Sequence, residues 1–146
     1  MRNDGEPCVV DASAILPVVD LERFSPRAEE WLAAAREHTE EPLTVDLFDV
    51  ECANALWKRV QRELWSPQRA EQALAQILDL PFRRIPLRTV VSDALAIALT
   101  HGLTAYDGCY VALSRVSGMP LVTADRRMAR VARAMGCDAL CFTEEA

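Results

Sequence analysis

Residues 8–16 read Cys-Val-Val-Asp-Ala-Ser-Ala-Ile-Leu: a short apolar run, an aspartate, then small and apolar residues in a helix-compatible pattern. An apolar run this brief, ended by Asp11, is the signature of a buried strand that feeds directly into a helix, with Ser13 placed to cap it. The pattern recurs. Leu43-Thr44-Val45 precedes Asp46 and a long amphipathic stretch, and Pro120-Leu121-Val122-Thr123 precedes Asp125 and an arginine-rich one. Between these units, Ser25-Pro26 opens a helix that carries Ala28, Trp31, Leu32 and Ala35, and Ser66-Pro67 opens another that Pro81 stops. The helix after Asp46 is predicted from Leu47 to Arg62 or Glu63, with Asp46 and Asp49 as its cap and first-turn acids. Further helices are predicted from Thr89 to Gly102, from Tyr106 to Ser117 and from Arg126 to Met135, each ended by a glycine. Arg83–Pro86 reads as an edge strand, where Pro86 does least harm, and Ala139–Phe142 as the last strand. Strands alternating with helices predict an α/β fold built on a parallel sheet covered on both faces.

The chain has 146 residues, 51% of them apolar and 26% charged, which suits one domain over residues 1–142 with a short, fraying tail at 143–146. Its formal charge of −6 argues against holding nucleic acid by bulk electrostatics alone. An anionic partner therefore needs a local basic patch or a bridging cation. The five cysteines are odd in number, lack any Cys-x-x-Cys pair and sit mostly in apolar segments, so they read as reduced core residues. Only two histidines are present, which leaves a tetrahedral zinc site without ligands; any metal here is a hard cation held by oxygen. The first ten residues are polar and acidic where a signal peptide needs an apolar run, and no stretch is long enough to span a bilayer. A cytoplasmic location is the expectation.

In parallel α/β sheets the crevice outside the strand C-termini collects side chains from strand exits and from the starts of the following helices. Asp11 and Asp125 stand at strand exits, Asp107 opens a helix after a loop, and Glu51 lies about one turn into the helix after the second strand. Singly, each has a plain alternative as a helix cap, a first-turn acid or a solvated residue. Jointly they do not. Two carboxylates 4 Å apart repel by about 4 kcal/mol at an effective dielectric of 20, so four converging acids require protons or a counter-ion. Mg2+ or Mn2+ fits an all-oxygen donor set, and such an ion supports phosphodiester hydrolysis.

Neighbouring polar groups add to this candidate site. Asn54 and Lys58 follow Glu51 by three and seven residues, on one helical stripe, where Asn54 can hold a water and Lys58 can reach a phosphate. Ser13 and Thr123 each lie two residues from a candidate ligand and can hydrogen-bond a carboxylate or water; ordinary capping and strand packing account for them equally well. Arg126, Arg127, Arg130 and Arg133 recur beside Asp125, either as a solvated face or with Arg126 or Arg127 on a phosphate backbone. Tyr106 can stack on a base, whereas Trp57 reads as core.

Four blocks, V-V-D-A-S-A-I-L at 9–16, E-C-A-N-A-L-W-K-R at 51–59, L-T-A-Y-D-G-C-Y-V-A-L at 103–113 and L-V-T-A-D-R-R-M at 121–128, together resemble the PIN-domain ribonucleases, specifically the VapC-like toxins of toxin-antitoxin pairs. The resemblance implies a three-layer α/β/α fold with a central parallel sheet. It places Asp11, Glu51, Asp107 and Asp125 on the family's acidic metal-binding quartet, with Ser13 and Thr123 on assisting positions. It also implies single-stranded or looped RNA as substrate, a homodimer and a cognate VapB-like antitoxin whose C-terminal segment blocks the site. One departure is Gly108, where relatives more often carry alanine; a glycine inside a helix costs about 1 kcal/mol and is expected to loosen the turn that holds Asp107.

The leading expectation is thus a Mg2+- or Mn2+-dependent endoribonuclease acting as a toxin. The alternative is a catalytically silent PIN-like module that binds RNA or protein. A phospho-acceptor receiver domain also uses acids at strand ends, but it needs a late lysine and the only lysine is Lys58. No Walker-type phosphate loop, G-x-G-x-x-G turn or G-x-S-x-G elbow is present, which leaves ATPase, dehydrogenase and serine-hydrolase readings without a site.

Overall fold

The computed structural model describes residues 7–20, 25–38 and 40–144. Five parallel strands form the sheet: β1 (Val9–Val10), β2 (Leu43–Val45), β3 (Arg83–Ile85), β4 (Leu121–Thr123) and β5 (Ala139–Cys141), in the spatial order β3-β2-β1-β4-β5. The order steps one way from β1 to β3 and the other way through β4 and β5. The sequence therefore changes direction between β1 and β4, the place where open α/β sheets make a crevice.

Among the described residues seven α-helices cover the sheet: α1 (Ala12–Val19), α2 (Pro26–Glu37), α3 (Phe48–Gln61), α4 (Pro67–Leu78), α5 (Val91–His101), α6 (Ala105–Ser117) and α7 (Arg126–Ala134). Alternation along the strands sorts them into two layers. Val10, Val122 and Leu140 pack with α1 to α4, where Trp31, Phe48, Leu56 and Phe82 form the centre. Val9, Leu121, Ala139 and Cys141 pack with α5 to α7 around Tyr110, Val111 and Met128. This is a three-layer α/β/α domain, and β3 lies at its edge as the position of Pro86 requires.

Local rules account for most helix ends. Ser25 and Ser66 cap α2 and α4 by accepting from Ala28 N and Arg69 N, each with proline in the first turn. Gly102 and Gly118 stop α5 and α6 at φ of +72° and +71°.

Three local expectations are corrected, and a fourth residue gains a partner. Ser13 does not cap α1, because its hydroxyl is drawn into the crevice described below. Asp46 does not cap α3; Leu47 holds that position in a helical conformation, and Asp46 accepts from Leu87 N instead, bracing the short 3-10 turn Leu87–Thr89. Asp49 is in the first turn as expected but pairs with Arg84 of β3 at 2.8 Å. Trp57 is not core: 55% of it is exposed on the outer side of α3, against a shallow apolar groove shared with Pro67, Ala70 and Leu74 of α4.

Gly108 reverses its expected role. A Cβ built there falls 2.6 Å from the carbonyl oxygen of Ala94, so the missing side chain is what lets α6 lie directly on the α5 backbone. The glycine fixes the position of Asp107 rather than loosening it. The last described residues, Thr143 and Glu144, contact the body of the domain. Thr143 donates to Ala124 O, and Glu144 receives a bidentate ion pair from Arg133 at 2.8 and 2.9 Å, while residues 145–146 lie outside those described.

All five cysteines are free thiols, four of them buried. Among the described residues no helix is long and apolar enough to cross a membrane.

Candidate active site

The exits of β1 and β4 meet where the strand order reverses. Asp11 follows Val10, and its backbone N–H donates to Val122 O, which locks the two exits in register. The Asp11 carboxyl is 4% exposed, and two hydroxyls donate to the same oxygen, Oδ2: Ser13 at 2.5 Å and Thr123 at 2.8 Å. Each hydroxyl is itself oriented by an N–H, since Ala124 N donates to Ser13 and Asp125 N donates to Thr123, both at 2.9 Å. A hydroxyl has one proton. With both protons on Asp11, the two side chains form a fixed donor pair that seats this acid and ties β1 to β4.

Glu51 enters from α3, as its one-turn offset from β2 predicted. Its Oε1 accepts from the hydroxyl of Tyr110 at 2.5 Å, and that ring is fully buried in the α6 layer. Asp107 sits in the first turn of α6, whose start is capped by Thr104 accepting from Asp107 N at 3.1 Å. Asp125 caps α7 through Oδ1, which accepts from Arg127 N and Met128 N, so the capping role is real for one of its oxygens. In Asp11, Glu51 and Asp125 alike, the side-chain and cap bonds fall on a single oxygen.

These acids sense one another. Burial pushes Asp11 up to about 6; Ser13 and Thr123 pull it back, and the charge of Asp107 pushes it further. Burial also raises Glu51, to about 7, against the pull of Tyr110 and with the charges of Asp11 and Asp107 adding to the rise. Asp107 is raised by burial and by the charge of Asp125. Burial is thus the main cause that lifts Asp11 and Glu51 above the ordinary carboxylate range. Burial likewise drives the Tyr110 phenol far upward, which keeps it a hydrogen-bond donor to Glu51.

The donor set is carboxylate and hydroxyl oxygen with no histidine or thiol, which suits a hard divalent ion. Among the described residues no three His, Cys, Asp or Glu side chains close tightly enough to enclose an ion. Magnesium does not require that, because it keeps several waters and is commonly held by one or two carboxylates. The chemistry of these donors would suit a hydrated divalent ion held by one or two of the carboxylates.

The remaining candidates divide. Lys58 lines a cleft of 730 Å³ that also takes in Ser13 and Asp125. Asn54 is exposed one turn after Glu51 and lies outside that cleft's lining. Arg126 donates from both Nε and Nη2 to Thr143 O, and Arg127 to Gly102 O at 2.7 Å, so in this arrangement both guanidinium groups hold backbone rather than stand open to a phosphate. Tyr106 is exposed beside Asp107, as stacking requires.

Sequence reasoning missed Tyr110. The available signal was its spacing: three residues after Asp107, it shares the helix face that looks toward the acids. Tyr110→Phe removes the donor that orients Glu51 and is expected to weaken Mn2+ binding about 10- to 100-fold with the fold retained. Titration calorimetry of the variant beside wild type checks this.

With the geometry in place, comparison with known proteins is decisive. The PIN domain profile matches residues 8–134. The chain belongs to the PIN-domain family. Within that family it is 39% identical over 125 residues to Ribonuclease VapC3 of Pyrobaculum aerophilum, covering 83% of this chain and 91% of that protein. It is 30% identical over 122 residues to Exonuclease VapC9 of the same organism, covering 82% and 81%. The crystal structure of PAE2754 from Pyrobaculum aerophilum superposes with a TM-score of 0.68 at 27% identity, over 92% of this chain and 84% of that chain. The VapC-like resemblance and the three-layer fold are thereby both established.

Proposed function

We propose that this PIN domain is a Mg2+- or Mn2+-dependent endoribonuclease and that it acts in the cytoplasm as the toxin of a toxin-antitoxin pair. The observation that carries this reading is the set of four acids from four elements, Asp11, Glu51, Asp107 and Asp125, three of them with carboxyls raised by burial and by one another's charge. The name of the 39%-identical relative, a ribonuclease, supports the substrate. A divalent cation bound there supplies charge for the reacting phosphate and acidifies a water. The protein's own groups do the rest. Ser13 and Thr123 hold Asp11, Tyr110 holds Glu51, and Lys58 approaches the phosphate from α3, with Asn54 one turn nearer Glu51. Hydrolysis breaks one P–O bond, water giving its hydroxyl to phosphorus and its proton to the leaving oxygen. A VapB-like antitoxin and a homodimer complete the proposal.

The mode of cleavage is tested with a circular RNA, which has no ends for an exonuclease to attack. Purified protein with Mg2+ or Mn2+ linearises the circle, and chelation with EDTA lowers the rate at least about 100-fold. A circle left intact beside a degraded linear RNA would replace the endonuclease reading with the exonuclease activity in the name of VapC9. A silent binding module draws on the looseness of the acids, no three of which enclose an ion among the described residues. It requires that both RNAs survive and that no metal is taken up.

A further inference from the structure

Hydrogen bonds join Asp11 to the exits of β1 and β4, and Glu51 to α6. Between Asp107 on α6 and Asp125 at the start of α7, the connection is Arg127. Its backbone N–H donates to Asp125 Oδ1 at 2.9 Å, and its Nη2 donates to the carbonyl oxygen of Gly102 at 2.7 Å. Gly102 ends α5, and two residues on, Thr104 caps α6 by accepting from Asp107 N at 3.1 Å. Leu103, between them, is buried and seats this turn in the core. One residue thus grips Asp125 with its main chain and, with its side chain, the turn from which Asp107 is held.

Part of this contact is ordinary. The last carbonyls of a helix lack intrahelical partners, and an arginine there is favoured by the helix dipole. The fit around Gly102 is closer than that role requires. A Cβ on Gly102 would fall 3.2 Å from Arg127 Nη2, so the guanidinium lies against the side of the residue that has no side chain. The neighbouring Arg126 is committed elsewhere, to Thr143 O after β5, and the two arginines tie the start of α7 to two different elements. Burial and the charge of Asp125 raise Asp107, and Thr104 and the charge of Arg127 oppose that rise, which places the guanidinium within electrostatic reach of the acid.

We infer that Arg127 is a positioning residue of the acidic site: it clasps the turn at 102–104 to the N-terminus of α7 and so fixes Asp107 relative to Asp125 for a divalent ion. The inference rests on the nuclease reading and assigns Arg127 no contact with the ion or with RNA. Two effects of this cation differ in sign. A bare positive charge beside the acids repels a second cation, so its removal would tighten metal binding. A clasp keeps the acids in place, so its removal weakens binding. Groups that orient metal ligands are worth about 10- to 100-fold in affinity, whereas salt screens an exposed charge. The positional effect is the larger.

The test reads metal uptake and local protection separately. Mn2+ binding to metal-free protein is measured by titration calorimetry for wild type, Arg127→Met, Arg127→Lys and Arg130→Met, the last removing the same charge from an exposed position one turn further along α7. Methionine keeps arginine's helix propensity at these exposed sites, so the fold is retained. Arg127→Met is expected to bind Mn2+ about 10-fold more weakly; Arg127→Lys, which keeps a donor on a long side chain, stays within about threefold of wild type, and Arg130→Met within about twofold. Hydrogen exchange of the metal-free proteins reads the clasp itself. In Arg127→Met the N–H groups of Asp107 and Gly108, both bonded to Thr104, exchange about 10-fold faster, while that of Leu121, bonded to Asp138 O in the sheet, keeps its rate. In RNA cleavage the same variant loses kcat at limiting Mn2+ and regains it at saturating Mn2+, with KM for RNA within about twofold of wild type. An Arg127→Met protein that binds Mn2+ as tightly as wild type or more tightly, or whose Asp107 and Gly108 protection is unchanged, overturns the clasp and leaves the nuclease in place. A wild type that cleaves no RNA overturns the nuclease reading instead, and the exchange rates still decide the clasp.

Discussion

Asp11→Asn is expected to lose at least about 10³-fold in RNA cleavage and, in metal-free buffer at pH 8, to be more stable than wild type by about 3 kcal/mol. Both effects follow from one buried carboxyl. Asp11 is 4% exposed, and its folded value is near 6 against an ordinary 3.8, the rise coming chiefly from burial. For an acid raised in this way the folded state holds its proton longer than the unfolded chain does. Stability is therefore undiminished below about pH 4 and is lost as the pH rises toward and through 6, after which the penalty is constant. Glu51 extends the loss toward pH 7, more weakly because it is only half-buried and water screens it. Asparagine keeps a carbonyl oxygen for the protons of Ser13 and Thr123 but has no charge to desolvate. Denaturant unfolding in EDTA from about pH 3 to about pH 8 checks the claim: the two proteins should converge at the acid end and separate toward the alkaline end. A variant as unstable as wild type at pH 8 would mean that burial of Asp11 carries no charge penalty. Stability of this kind, gained by dismantling a site, is the usual trade between function and fold.

Gly108→Ala is expected to destabilise the fold by about 1–3 kcal/mol, although alanine is the better helix former by about 1 kcal/mol. The new Cβ would stand 2.6 Å from Ala94 O, and that atom belongs to the α5 backbone, which cannot move aside alone. The helices must part, carrying Asp107 with them. Thermal unfolding should fall by several degrees and cleavage should drop with it, whereas alanine at Gly118 meets no atom and acts only through the strain of its positive φ. A Gly108→Ala protein with a raised melting temperature would restore the view that glycine merely loosens the turn.

These two positions also mark what a sequence can and cannot disclose. Asp11 was legible because it follows an apolar run too short to be anything but a buried strand, and a strand exit in a parallel sheet has one destination. Glu51 was legible from its one-turn offset after β2. Gly108 was misread because helical spacing gives the face a residue occupies but not how near the next helix lies; only the α5 backbone explains it. Trp57 was misread for the related reason that an amphipathic stripe does not reveal whether its margin is covered. Ser13 and Asp46 looked like caps because capping is a local rule, while the backbone N–H groups they accept from, Ala124 and Leu87, are 111 and 41 residues away. For Arg126 and Arg127 the spacing left a solvated face and a phosphate contact open alike, and it gave no sign of the backbone carbonyls of Thr143 and Gly102 to which they donate.

The central claim is that the acids at the β1–β4 exit hold a divalent ion. Manganese titrated into metal-free protein, with free ion followed by electron paramagnetic resonance, tests it without reference to any substrate. Wild type should remove at least one ion per chain from solution, and the Asp11→Asn, Asp107→Asn double variant should remove none. Equal uptake by the two proteins, or no uptake by wild type, would contradict the account.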